Sequence, residues 1–316
     1  LALSRHRIGE ALVFARRARE LAPTEARTLG AIGDALVELG RYGEAFATFD
    51  ELARLKPGVA AYARVSYARE LLGDRPGAIA AMRLAADTTV PGSEAAAWTA
   101  LHLGKLLFLG GDHKGAERQF HIALGHVPGY AAAFDGLALV ETGRKRPSRA
   151  ISLERRAVAA VPLPQYVATL GDLLQRAGRP RAAARQYSVV LAIDRVQRAS
   201  GINTDLEVAL FRIDHDRRLA AATSQALAAY RARPSIDAAD VVAWGLARSG
   251  RCVEAERYSK LALRLGTEDP LKYFHRGMIE RCLGNDAAAK RWLRRALDLN
   301  PGFSRLWSPV AARHAR

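Results

Sequence analysis

An all-α solenoid of stacked helical hairpins is the fold class this sequence predicts, and three observations predict it. Prolines stand at positions 23, 57, 91, 128 and 162, separated by 34, 34, 37 and 34 residues. Ala11, Ala45, Ala78, Ala116, Ala150, Ala183, Ala222, Ala255 and Ala289 recur in phase with them at spacings of 33 to 39. Seven residues after each comes a second small or branched residue: Ala18, Leu52, Ala85, Ala123, Ala157, Val190, Ala229, Ala262 and Ala296. A period near 34 over nearly the whole chain means stacked supersecondary units rather than one globular core. Such units pack on their neighbours, so the length of 316 residues sets the number of repeats instead of the number of domains.

The elements follow in chain order. Residues 1–23 supply the second helix of a partial repeat, and 24–57 show the pattern most cleanly. Leu29, Ile32, Gly33 and Leu36 make one helical stripe at i, i+3, i+4 and i+7. Gly40 breaks the chain, Ala45, Phe49 and Leu52 make a second stripe, and Pro57 ends the unit because proline cannot continue a helix. Gly33 and Ala45 are small so that the two antiparallel helices can approach closely. The same scheme divides the chain into 58–91, 92–128, 129–162, 163–201, 202–234, 235–268 and 269–301, with 302–316 as a C-terminal capping segment. Three segments depart from the period: Thr88–Ser93 is an added loop, Arg144–Ser148 lengthens a turn, and Ile193–Gly201 extends a helix or inserts a turn. Glu154 stands where its repeat should carry a large apolar residue, and Ala226 and Ser259 do so in theirs.

Composition agrees with helices throughout. Apolar residues make up 49% of the chain, dominated by alanine and leucine, both strong helix formers. The 48 basic and 32 acidic residues leave a formal charge of +16. The basic side chains are nearly all arginine and are dispersed rather than run together, which reads as a solvated surface before it reads as a nucleic-acid or lipid footprint. No stretch reaches the roughly 18 to 20 apolar residues of a membrane span.

The succession Leu-Gly, then Ala-x3-Phe, then Ala and Pro resembles the tetratricopeptide repeat. It is seen in Leu103-Gly104, Ala116, Phe120, Ala123, Pro128 and again in Leu170-Gly171, Leu174, Gly178, Ala183, Tyr187. The last full unit gives Tyr273, Gly277, Gly284, Ala289, Leu293, Ala296, Pro301. The resemblance covers essentially the whole chain and implies a right-handed superhelix that binds proteins without catalysis. The phrases "GDALVELGRYGEAF", "ARVSYARELLGD" and "NTDLEVALF" look like a group of exported bacterial members, which implies an extracytoplasmic or envelope location. It also implies that further repeats and an export signal precede Leu1.

In that family the first helices line a concave face. The positions here that correspond are Asp34, Glu38, Tyr67 and Glu70 early, and Trp98, Lys105, Phe108, Asp135, Asp172 and Gln175 in the middle. Towards the C-terminus they are Glu207, Phe211, Asp214, His215, Asp237, Asp240, Trp244, Arg248, Phe274 and Met278. Acidic residues prevail there, while Arg16, Arg17, Arg155, Arg156, Arg217, Arg218, Arg294 and Arg295 fall on second helices. The expected site is therefore Glu207, Phe211, Asp240, Trp244, Phe274 and Met278, with Asp172 and Asp34 further along, and its expected partner is a basic or aromatic protein segment. The alternative reading packs these aromatics between adjacent first helices, where they meet no ligand. A second alternative is a small cationic ligand or metal ion in the C-terminal groove. A third docks the outer arginines on an anionic membrane or nucleic acid, of which nucleic acid is the less favoured. The lysine, asparagine and arginine clamp by which several members hold a peptide carboxylate has only Lys105 at a comparable position.

Catalytic patterns are missing. No H-E-x-x-H, G-x-S-x-G or phosphate-cradling glycine loop occurs, so no cofactor and no enzymatic activity are expected. Asp214-His215-Asp216 reads as a solvated turn before a cation site. Cys252 and Cys282 should begin one second helix and end the next first helix, near the same edge; two free thiols are favoured over a disulfide.

Overall fold

A computed structural model describes residues 2–3 and 7–316, all helix and connecting turns, with no strand among them. Leu1, where the expected partial repeat opens, lies outside them. The helices are α1 (Ile8–Leu21), α2 (Ala26–Glu38), α3 (Tyr42–Leu55), α4 (Val59–Leu71), α5 (Arg75–Asp87), α6 (Glu94–Leu109), α7 (His113–His126), α8 (Ala131–Gly143) and α9 (Pro147–Ala160). They continue with α10 (Pro164–Arg176), α11 (Pro180–Ala199), α12 (Asp205–Asp214), α13 (Leu219–Ala232), α14 (Ile236–Arg248), α15 (Cys252–Ala262), α16 (Pro270–Cys282), α17 (Asp286–Leu299) and α18 (Ser308–His314). Consecutive helices pair as hairpins, α2 with α3, α6 with α7, α8 with α9 and α14 with α15. The architecture is an all-α repeat solenoid.

The alanine register explains the pairing. Ala45, Ala78, Ala116, Ala150, Ala183, Ala222 and Ala255 have no exposed surface, and each sits on the second helix of its hairpin. A side chain larger than a methyl there would hold the helices apart. On the opposing helix the partner is often glycine. A Cβ built on Gly33 would lie 2.2 Å from Cε1 of Phe49, and one on Gly171 would lie 2.4 Å from Cε1 of Tyr187. The aromatic ring of the second helix thus lies against bare backbone of the first. Of the second register only Ala18, near the end of α1, is exposed.

Each hairpin turn needs one residue in the left-handed region. Gly40, Gly73, Gly111, Gly178, Gly250 and Gly284 supply it, Lys145 does so at φ 59° and Asp216 at 52°, the last joined in its turn by a second such residue, Arg218, at 53°. The turn at Arg144 is no longer than its relatives, with three residues between α8 and α9 against the expected lengthening. Pro147 fits inside the helix because the first turn of α9 needs no N–H at that position. The 39-residue interval is absorbed by α11, which runs 20 residues instead of inserting a turn.

The chain forms two compact units, each drawn from separated segments. The first comprises the described residues up to Ala81 with Gln197–Glu268 and His275–Ala289. In it, residues nearly 200 apart meet. The phenol oxygen of Tyr42 accepts a hydrogen bond from the backbone N–H of Ile236 at 2.7 Å, the first residue of α14. Arg233 pairs with Glu38 at 3.4 Å, Arg75 with Glu268 at 3.1 Å, and the Thr267 hydroxyl donates to the carbonyl of Leu71. Gly40 has a second reason to be glycine: a Cβ there would lie 2.4 Å from the carbonyl oxygen of Pro234.

The second unit comprises Met82–Val196, Asp269–Phe274 and Lys290–Arg316. One of its long-range joins is Asn300, fully buried, whose amide donates to the Phe108 carbonyl at 2.6 Å and whose Oδ1 lies 2.9 Å from Nε2 of His113.

Cys252 and Cys282 form a disulfide with a Cα–Cα distance of 5.7 Å, and no cysteine is free. The expectation of free thiols is therefore corrected. The ends of α15 and α16 come to the same edge, as their positions in consecutive repeats require.

Candidate functional site

The expected C-terminal aromatic positions are packed. Trp244 is 2% exposed, its ring stacked on His275 at 4.5 Å between centroids, with the Arg248 guanidinium 5.2 Å from the ring centre. Its indole N–H donates to Asp214 at 2.8 Å. Asp240, also buried, takes Nδ1 of His275 at 2.9 Å. Phe211 is buried and lies 4.5 Å from the ring of His215. Glu207 is exposed and Met278 half-buried. These belong to the first unit. Phe274, fully buried, belongs to the second, where Trp307 stacks on it at 5.5 Å and Phe303 lies at 5.9 Å. Phe211, Trp244 and Phe274 thus lie in packed interiors, the alternative arrangement for first-helix aromatics: His275 of α16 covers Trp244, the stretch before α18 covers Phe274, and His215 at the end of α12 lies on Phe211.

Asp34 sits at an opening. It receives two hydrogen bonds from the Arg64 guanidinium, at 2.8 and 2.7 Å, a fork on a carboxylate. Beside it a pocket of about 420 Å³ lies between α2 and α4, lined by Ala26, Gly30, Ala31 and Ala60 among others. Arg27 and Lys56 share its rim with the Asp34–Arg64 pair, and Arg27 is held by Glu25. Glu38 follows Asp34 by one helical turn and holds Arg233.

Asp172 belongs to an acidic cluster in the second unit that is built from three helices. Asp135 comes from α8, Glu154 from α9, and Thr169 and Asp172 from α10. The Tyr187 hydroxyl donates to Asp172 at 3.0 Å. Glu154 occupies the interior position of a large apolar residue and has no exposed surface. Burial, with the charge of Asp135 next, pushes its carboxyl up to about 9, against the opposing pull of Arg305. No N–H or hydroxyl reaches either of its oxygens. A protonated carboxyl reconciles these facts, since its own O–H can then donate to Asp135. Tyr166, beside them, is pushed up to about 12 by burial and by the same two carboxyl groups.

Into this cluster reaches Arg305, from the non-helical stretch between α17 and α18. Its Nη2 donates to Oδ1 of Asp135 at 2.9 Å and to the Asp135 carbonyl at 3.1 Å, and lies 3.6 Å from Glu154. Its Nη1 lies 3.5 Å from the Thr169 hydroxyl. Arg176 donates in turn to the Arg305 carbonyl. Ser304 holds the stretch by accepting from the N–H groups of Leu306 and Trp307 at 3.3 and 3.1 Å. Sequence reasoning placed Asp135 and Asp172 on first-helix faces and marked Glu154 as a misfit. It missed Arg305, whose approach depends on a long-range fold that a local pattern does not encode.

Several expected outer arginines, Arg16, Arg17, Arg155, Arg156, Arg294 and Arg295, are exposed on second helices. Asp214, His215 and Asp216 close α12 at a turn, as expected, and Arg248 pairs with Asp216. Among the described residues no group of three or more His, Cys, Asp or Glu is arranged to hold a metal ion, and no helix is long and apolar enough to cross a membrane.

The class these features define is an α-helical repeat scaffold, with hairpins in tandem and polar side chains presented from their first helices. A tetratricopeptide-repeat family model matches residues 26–58 and 273–303. Those two stretches carry the tetratricopeptide repeat. The chain is similar to the solved tetratricopeptide protein TTC0263 of Thermus thermophilus, at 21% identity and a TM-score of 0.47 over 56% of this chain and 98% of that one. It is also similar to MamA, at 17% identity and 0.41 over 53% and 97%, and to the Cut9–Hcn1 assembly of the APC/C, at 15% and 0.48 over 95% and 59%. No curated protein matches the chain. Proteins built on this repeat generally mediate protein–protein interactions and are typically non-catalytic.

Proposed function

We propose that the chain is a non-catalytic interaction scaffold whose first-helix faces hold a basic or aromatic segment of a partner protein. The observation that carries this reading is that acidic side chains of these helices hold cations brought from elsewhere in the chain. Asp34 holds Arg64, Glu38 holds Arg233, and Asp135 holds Arg305. Faces that bind the chain's own cationic groups through charge-assisted hydrogen bonds have the chemistry to bind a partner's. Asp34 is an expected position that lines a cavity. A partner's aromatic ring would fill the pocket over Ala31 and Ala60, while a basic neighbour would lie along α2 toward Asp34 and Glu38.

The Cys252–Cys282 disulfide supports an oxidising, extracytoplasmic compartment for this scaffold, since such bonds persist there and are rare in reducing cytosol.

Calorimetry of the full chain with a capped Phe-Arg-Trp peptide and its Phe-Glu-Trp analogue tests the reading. The first should bind and the second should not. Ala60→Trp, which fills the pocket from an exposed position, should abolish the binding while leaving thermal stability intact. Equal binding of the two peptides, or binding indifferent to Ala60→Trp, would refute it.

A further inference from the structure

We propose that Asp135, Glu154 and Thr169 form a guanidinium-binding site that Arg305 fills as an internal stand-in, and that a partner protein's arginine takes the site when Arg305 swings out. This rests on the scaffold reading above and supplies the partner's chemistry at a second place. The site offers a fork of acceptors: the carboxylate and backbone carbonyl of Asp135 to one guanidinium nitrogen, and the Thr169 hydroxyl to the other. Separated acceptors of this kind suit the planar fork of arginine and not the point charge of lysine.

Two features mark the site as made for a ligand and not fully satisfied by its present one. Glu154 is wholly buried and aimed at the cluster, and even with its own O–H turned to Asp135 it keeps a carbonyl oxygen that meets no donor within hydrogen-bonding distance. Arg305, for its part, leaves its Nε buried without an acceptor and reaches Glu154 and Thr169 only at 3.6 and 3.5 Å. The arginine is therefore held firmly by Asp135 alone. A partner's arginine approaching along a free extended segment can choose an angle that Arg305, tethered at both sides, cannot. The tethers are the aromatic rings of Phe303 and Trp307 on Phe274, and they need not move for the side chain to leave. A short tether supplies an effective concentration in the millimolar range, so a partner must exceed that to compete. The site is closed by default and opens to a sufficiently tight or multivalent partner.

The test is a nuclear magnetic resonance titration of the full chain with N-acetyl-Gly-Arg-Gly-amide, following the amides of Asp135 and Thr169, with the Lys peptide as control. Arg305→Ala should bind the arginine peptide at least tenfold more tightly than the unaltered chain does, and at least tenfold more tightly than it binds the lysine peptide. Adding Asp135→Asn should remove the effect. If Arg305→Ala is folded and shows no arginine-selective binding, or if Asp135→Asn leaves the binding in place, the proposal is overturned and Arg305 is a fixed staple. Should Arg305→Ala be destabilised, the thermal midpoint is read instead. A rise with the arginine peptide, absent with Asp135→Asn added, supports the site, and no rise overturns it. Failure here leaves the pocket beside Asp34 to be judged by its own titration, since the amides followed belong to other helices.

Discussion

Tyr42→Phe isolates one long-range contact. The substitution removes a single oxygen that accepts the Ile236 N–H at 2.7 Å, and Ile236 is 1% exposed. That N–H is one of the donors left without an intrahelical partner at the start of α14. The ring itself stays, so apolar burial hardly changes and the Arg264 guanidinium, 5.1 Å from its centre, keeps its face. What remains is the cost of a buried donor without an acceptor, about 1–3 kcal/mol. We expect a loss of about 2 kcal/mol in urea-induced unfolding at pH 7, with faster hydrogen exchange at the Ile236 amide. Ser235→Ala is the local comparison. It removes the side-chain cap on Ala238, 3.2 Å away, and should cost about 1 kcal/mol. A loss below about 0.5 kcal/mol for Tyr42→Phe, with Ile236 still protected, would refute the idea that a residue 194 positions away caps α14.

Glu154→Gln should change the pH dependence of stability. The folded carboxyl is pushed up to about 9 from an ordinary value of 4.5, so its protonation favours the fold. That contribution is fully present below about 4.5 and is lost as pH rises through about 9. Urea midpoints of the unaltered chain should fall across this window relative to those of the glutamine variant, and parallel curves would count against a protonated Glu154. Gly33→Ala should destabilise by up to about 2 kcal/mol, because crowding of the Phe49 ring, worth up to about 3 kcal/mol at so close an approach, outweighs a helix-propensity gain of about 1 kcal/mol. Phe49→Leu in the same chain should relieve part of the loss, and an unchanged thermal midpoint for Gly33→Ala would contradict the close approach. Reducing Cys252–Cys282, which closes a loop of 30 residues, should cost about 3 kcal/mol in thermal unfolding, and thiol titration of the unfolded, unreduced chain should find none.

Most of the helical plan is legible because it is periodic and local. The alanines at a spacing near 34 are the buried contacts of the second helices, and the turn glycines sit where backbone geometry demands them. Lys145 shows the limit of such reading: it adopts the glycine conformation in its turn, which made a regular turn look irregular in sequence. The groove is less legible. A first-helix aromatic such as Trp244 has the same spacing whether it faces solvent or a neighbour, and only the fold supplies the His275 ring that covers it. Arg305 is the extreme case, since Asp135 is 170 residues away and no short-range pattern connects them. The disulfide was open to reasoning by position, but whether two edge thiols meet is decided by ångström-scale geometry.

The bonds from Tyr42 to Ile236 and from Phe108 to Asn300 bear on how this protein can evolve. An open array tolerates duplication or loss of a repeat, because every module touches only the next. Here, excising one module of about 34 residues between Tyr42 and Ile236 would bring a different residue opposite the phenol, and the same would happen between Phe108 and Asn300. Module number is thereby locked by contacts far apart along the chain, and related proteins that keep them should vary in loop length before they vary in repeat count. The same bonds raise contact order, so folding should be slower and loss of structure more all-or-none than in a strand of independent hairpins.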